Sequence, residues 1–160
     1  MFHNSALATM FLVTVIALAT ASAIQEEGQN MDIPRIYRVI LPVSDIERAA
    51  DFYAELLGID GERVSPGRHY LHGGEMILAV ADPRADGDDW DARPNQDHIY
   101  FAVKNLNTFH ERATKLGGLS DEMGAIEKRP WGEVSFYMKD PFGNPLCFVD
   151  ETTLFTGRQR

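Results

Sequence analysis

Two stretches of this chain carry the same pattern sixty residues apart. Arg38-Val-Ile-Leu-Pro-Val43 runs into Ser-Asp-Ile46 and a helical stretch that ends at Gly58. His98-Ile-Tyr-Phe-Ala-Val103 runs into Lys-Asn-Leu106 and a helical stretch that ends at Gly118. The pairs Val43/Val103, Ile46/Leu106 and Gly58/Gly118 keep the offset. A repeat of this kind marks one supersecondary unit used twice, each copy covering apolar surface that the other cannot bury alone. In both copies Asp45 or Asn105 stands where a helix needs an N-terminal acceptor, and the glycine supplies a stop. Ile46, Ala49, Ala50, Tyr53 and Leu57 recur at helical spacing, as do Leu106, Phe109, Ala113 and Leu116, so each helix has a single stripe to bury.

Strand-like segments follow each helix. They fall around Glu62–Val64, Arg68–His72 and Met76–Ala81 in the first copy, and around Gly124–Lys128, Glu133–Lys139 and Pro145–Val149 in the second. The turns Ser65-Pro66-Gly67, Gly73-Gly74 and Asp140-Pro-Phe-Gly143 separate them. The order is βαβββ twice, an α+β chain. Module one spans 35–81, a linker rich in turn formers and carboxylates spans 82–97, and module two spans 98–150. Together they make one domain over 35–153, followed by a tail at 154–160. The aspartates of the linker do not follow a calcium-loop order and read as a solvated surface.

With 44% hydrophobic residues the chain can build a packed core. Its formal charge is -9, from 15 Lys and Arg against 24 Asp and Glu. A field of that sign repels phosphate backbones and excludes nucleic acid as a natural partner. Cys147 is the only cysteine, so no intramolecular disulfide forms.

Residues 1–23 read as a leader. Ala6–Ala19 is an apolar run of the length of a signal-peptide core, and Ala21-Ser22-Ala23 fits the small-x-small cleavage pattern. Export, to the periplasm or beyond, is the expectation; a cytoplasmic protein starting at Met31 is the alternative. Residues 24–34 read as a flexible segment, and the apolar run is too short for a comfortable membrane span, so no stable span is expected once the leader is removed.

Four features together resemble the vicinal oxygen chelate superfamily, which includes glyoxalase I, extradiol dioxygenases and bleomycin-resistance proteins. They are Val43-Ser-Asp-Ile-Glu-Arg-Ala-Ala-Asp-Phe-Tyr-Ala-Glu-Leu-Leu-Gly58, the start His98-Ile-Tyr-Phe-Ala-Val103, the turn Asp140-Pro-Phe-Gly-Asn144, and the βαβββ duplication. The resemblance covers about Ile33 to Thr153. It implies cupped sheets around a cavity, commonly completed by a second chain, and hence a homodimer.

Metal enzymes of this superfamily take ligands from the first and last strands of each copy. Carried onto this chain, those places fall on Arg38, Leu78, His98 and Cys147. A guanidinium has no free lone pair and Leu no donor at all, so only His98 and Cys147 could coordinate. The expectation is therefore no metal at the usual place, with Arg38 putting a fixed positive charge in the cup for a carboxylate, phosphate or enolate oxygen. Strand alternation sets His98 with Tyr100 and Ala102, opposite Ile99, Phe101 and Val103, and sets Cys147 with Val149. Arg68 and Tyr70 after one tight turn, Arg129 and Trp131 in the other copy, and Tyr137 complete a candidate rim. The expected function is binding of a small anionic or aromatic molecule in the cup. Two alternatives stand beside it: a lyase, isomerase or dioxygenase that uses a divalent metal through His98, Cys147 and other side chains, and a non-catalytic drug-sequestering protein.

Overall fold

A computed structural model describes residues 34–157. The leader at 1–23, most of the flexible segment and the end of the tail lie outside the described residues. The first module contains β1 (Arg38–Pro42), α1 (Ile46–Leu57), β2 (Gly61–Ser65), β3 (Arg68–Gly73) and β4 (Met76–Ala81). The second contains β5 (Ile99–Val103), α2 (Leu106–Lys115), β6 (Glu127–Lys128), β7 (Val134–Lys139) and β8 (Pro145–Asp150), with a short 3₁₀ turn at Glu151–Thr153. Each module forms a four-stranded mixed sheet, β1-β4-β3-β2 and β5-β8-β7-β6, in which the first strand runs parallel to the last. Both first strands are therefore sheet edges. Among the described residues no helix is long and apolar enough to cross a membrane.

The helices form where their caps and stripes dictate. Asp45 accepts from the Arg48 amide at 3.0 Å, and Asn105 accepts from the Thr108 amide at 3.3 Å, each satisfying an N–H that has no partner within its helix. Helix α1 buries Ile46, Ala49, Phe52, Tyr53 and Leu56, a stripe rotated slightly from the expected one, with Ala50 and Leu57 at its margin. It ends at Gly58, whose φ of 69° is the left-handed conformation that glycine adopts without strain. In α2 the stop falls one residue earlier than expected. Gly117 takes the left-handed conformation, while Gly118 is required because a Cβ there would meet the Lys139 carbonyl at 2.7 Å. The expected strand at Gly124–Lys128 shrinks to two residues, since Gly124 closes a turn onto the Ser120 carbonyl instead.

One core serves both modules. Leu41, Val43, Tyr53, Leu56, Leu71 and Val80 from the first pack in the same cluster as Val103, Leu106, Phe136, Leu146 and Phe148 from the second. Register places Phe101, Phe148 and Phe136 side by side across β5, β8 and β7. Phe148 stacks between its two neighbours at 5.0 and 5.2 Å and also against Phe109 of α2 at 5.4 Å. Offset aromatic stacking of this kind adds to the area that the rings bury.

A buried polar knot closes the seam between modules. Asp140 accepts the Tyr53 hydroxyl at 2.7 Å, the Phe142 and Asn144 amides, and the Asn144 side chain at 2.7 Å. Asn144 in turn donates to the Pro42 carbonyl at the end of β1 and accepts from the Asn95 amide, and the Asn95 side chain donates to the Ile40 carbonyl. Replacing Asp140 by Ala strands three buried donors, and at about 1 kcal/mol or more for each unsatisfied buried group the loss is at least about 3 kcal/mol. Asp140→Ala is expected to lower the unfolding free energy by that amount in urea titration and Tyr53→Phe by roughly 1–2 kcal/mol.

Candidate functional site

Alternation along the strands separates two faces in each sheet. Val39 and Leu41 of β1 turn toward the helices, while Arg38 and Ile40 take the opposite, concave face. Ile40 is paired with Ala79, and Ala79 with Tyr70, so these residues share that face. In the second sheet Tyr100 is paired with Cys147 and Cys147 with Tyr137, giving the same row. The counterpart of Cys147 is thus Ala79 and not Leu78. Leu78 is paired with Val39 and Leu71 and lies in the shared core. The correction is a single residue, which in a strand moves a side chain to the other face.

The candidate residues gather into two clusters, one on each sheet. In the first, the Arg38 guanidinium donates to the Tyr70 hydroxyl and lies over the Tyr37 and Tyr70 rings, 5.2 and 5.6 Å from their centroids. With rings on its faces, Arg38 offers its in-plane N–H donors to a ligand, the geometry that a planar oxyanion matches. Among the described residues Arg38 has no carboxylate partner. Arg68 lies two residues before Tyr70, on the same face of β3, and its Nε donates to Asp86 Oδ2 at 2.8 Å.

The second cluster holds His98, Tyr100, Tyr137 and Cys147. The His98 ring meets Tyr137 edge-on at 5.0 Å and Tyr100 at 6.2 Å. Tyr137 and Cys147 are buried, with Val149, in a small cluster separate from the main core. His98 and Tyr100 stand exposed above it. Burial pushes the Cys147 thiol from its ordinary 9.0 up to about 11. The Tyr137 phenol is raised as well, first by burial and then by Cys147 and Tyr100.

Arg129 joins this cluster from the loop after β6. It is buried, lies 4.9 Å from the Tyr137 ring centroid, and donates to the Ser135 hydroxyl and carbonyl, to the Met123 and Ala125 carbonyls and to Glu127. Its donors are spent on the loop, so it holds the floor of the second cup. Trp131 belongs to neither cluster. It is half exposed on the following turn, where its Nε1 donates to Glu133 at 2.7 Å. That contact anchors the loop to itself.

The four family ligand places therefore hold Arg38, Ala79, His98 and Cys147. A guanidinium and a methyl group have no lone pair to give, which leaves His98 and Cys147 as two donors where a divalent site takes three or four protein groups, so the set does not fit a divalent ion. Among the described residues no three His, Cys, Asp or Glu side chains come together as a metal site. A cavity of about 480 Å³ opens between the modules, lined mainly by Leu57, Leu71, Ile77, Ile99, Phe101 and Phe109. It is apolar, and of the candidate residues only Tyr100 reaches it.

Asp86 escapes sequence reading, and Arg129 is read without its burial. Asp86 sits in a run of linker aspartates that look solvated, yet it binds side chains 18 and 21 positions earlier. Arg129 reads as part of an exposed rim with Trp131, and only the fold of the 119–129 loop buries it.

Comparison with protein families places residues 35–148 in the glyoxalase/bleomycin resistance protein/dioxygenase superfamily, to which this chain belongs. A lactoylglutathione lyase from Agrobacterium tumefaciens has a similar structure, with a TM-score of 0.59, 19% identity, and 75% of this chain and 96% of that one covered. A glyoxalase/bleomycin resistance protein from Albidiferax ferrireducens T118 superposes with a TM-score of 0.61 at 22% identity over 72% and 98% of the two chains. A glyoxalase-related enzyme from Fulvimarina pelagi gives 0.61 at 21% identity over 74% and 88%. These likenesses establish the fold. A search of curated proteins finds no match.

The raised thiol has a direct consequence. A group held protonated to about pH 11 is unreactive where an ordinary thiolate forms. Cys147 is expected to resist iodoacetamide at pH 8–9 in the folded protein and to react fully in urea, as read by mass spectrometry.

Proposed function

We propose that this protein binds a small anionic or aromatic molecule on its concave face, with the Arg38 guanidinium taking the place of the family's usual metal. The observation that carries this reading is Arg38 itself. It is a fixed cation on the concave face of β1, oriented by Tyr70, flanked by two aromatic rings and without a carboxylate partner among the described residues. A ligand carboxylate meeting its N–H edge gains charge-assisted hydrogen bonds, and an aromatic frame can lie against Tyr37, which is exposed. His98 and Tyr100, exposed on the other sheet, supply an imidazole and a phenol for the remaining polar groups of such a ligand. Titration calorimetry against benzoate is expected to show binding by the parent and at least a tenfold loss in Arg38→Ala, since a charged hydrogen bond contributes about 1.5–3 kcal/mol. Equal affinity in the two proteins overturns the placement.

The protein is also proposed to work as a homodimer. Its two polar clusters lie on different sheets, and each sheet has a free first-strand edge with exposed apolar side chains beside it, Ile36 and Tyr37 just before β1, Ile40 on β1 and Tyr100 on β5. A second copy laid along these edges covers that surface and brings a β1 cluster to a β5 cluster. Ile40→Lys is expected to shift sedimentation from dimer to monomer; a monomeric parent counts against the assembly.

A further inference from the structure

We propose that Asp86 determines which anions the first cup accepts. It neutralises Arg68 in place, leaves Arg38 as the single uncompensated cation, and so selects carboxylate monoanions over dianions such as phosphate monoesters. The inference rests on the anion-binding reading above.

Asp86 is fully committed to the β2–β3 turn. Its Oδ1 accepts the Ser65 hydroxyl at 2.7 Å and the Gly67 amide at 2.8 Å, while Oδ2 accepts Arg68 Nε. The Ser65 hydrogen bond leads in holding its carboxyl below the ordinary 3.8, and Arg68 and the Gly67 amide reinforce it, so Asp86 is charged throughout the neutral range. Gly67 has no room for a side chain, because a Cβ would meet the Asp82 carbonyl at 2.2 Å and the Asp86 amide at 2.7 Å. The start of the linker is thereby pressed against the turn, and the carboxylate cannot swing away from Arg68.

The charges around Tyr70 then add up simply. Arg38 and Arg68 bring two positive charges to one phenol, and Asp86 removes one of them. Asp82, buried in the same linker turn and accepting the Ala85 amide, adds negative charge behind Arg68. Glu62, paired with Tyr70 in register and exposed on β2, adds a solvent-screened negative charge on the far side of the phenol from Arg38, which also disfavours a second anionic charge. His72 shares the face from β3, paired in register with Ile77, and is exposed. A monoanion on Arg38 is thus balanced, whereas the second charge of a dianion meets the Asp86 carboxylate instead of a free guanidinium. Discrimination by a built-in repulsive group is an economical route to specificity.

Benzoate and phenyl phosphate separate the cases. At pH 8 the phosphate monoester, with a second pKa near 6, is a dianion while benzoate keeps one charge. Calorimetry at low salt is expected to show the parent binding benzoate more tightly than phenyl phosphate. Asp86→Asn keeps an acceptor oxygen and the size of the side chain but removes the charge, and it is expected to move the affinity ratio toward phenyl phosphate by about tenfold. Ser65→Ala loosens the same turn and leaves the charge, so the ratio should hold. A parent that prefers phenyl phosphate, an Asp86→Asn protein with the parental ratio, or an equal shift in Ser65→Ala overturns the role of Asp86 while the anion site stands. Binding of neither probe by the parent overturns the anion site itself, and this inference with it.

Discussion

Everything on the concave faces depends on the Asp140 carboxylate. A charge taken out of water is costly unless its lone pairs are filled, and Asp140 fills them from a tyrosine of α1, two amides of its own turn and the Asn144 side chain. The donors come from both modules, so satisfying the charge fixes the modules to each other. Through Asn144 and Asn95 the same knot reaches two carbonyls at the end of β1. The strand that carries Arg38 is thereby tied to the turn that launches β8 and Cys147.

Two half-sites of different character result. One is cationic and aromatic, with Arg38 lying against both Tyr37 and Tyr70 and Arg68 held by a linker carboxylate. The other is built of phenols, an imidazole and a protonated thiol over a buried arginine whose donors are spent on its loop. Neither resembles a cluster of metal donors. The shared family fold accounts for the positions of these residues, and their chemistry comes from this chain.

The duplication, both helices, the caps at Asp45 and Asn105 and the alternation of β5 were legible because each rests on a local rule: a period, a cap residue, a period of two. The faces of His98, Tyr100 and Cys147 followed from that alternation. The expectation at Leu78 is one residue off because the turns leading into β4 and β8 differ in length, and a strand converts a one-residue error into the wrong face. Trp131 was read as a rim residue although its ring bonds the adjacent Glu133. Asp86 was illegible as a functional group, and so was the burial of Arg129, because their partners are set by how loops fold back, and no periodicity records that.

The shared core also bears on how such a chain can change over time. Substitutions on the helix-facing sides of the strands must suit two modules at once, since Leu41 and Phe148 answer to the same packing. The concave faces carry no such mutual obligation. After a duplication they are free to drift apart, and Ile40 and Tyr100, or Ala79 and Cys147, stand at matching places with unrelated chemistry. One fold can thus acquire an asymmetric pair of surfaces, one suited to charge and the other to hydrogen-bonding rings, with no cost to the interior that holds both.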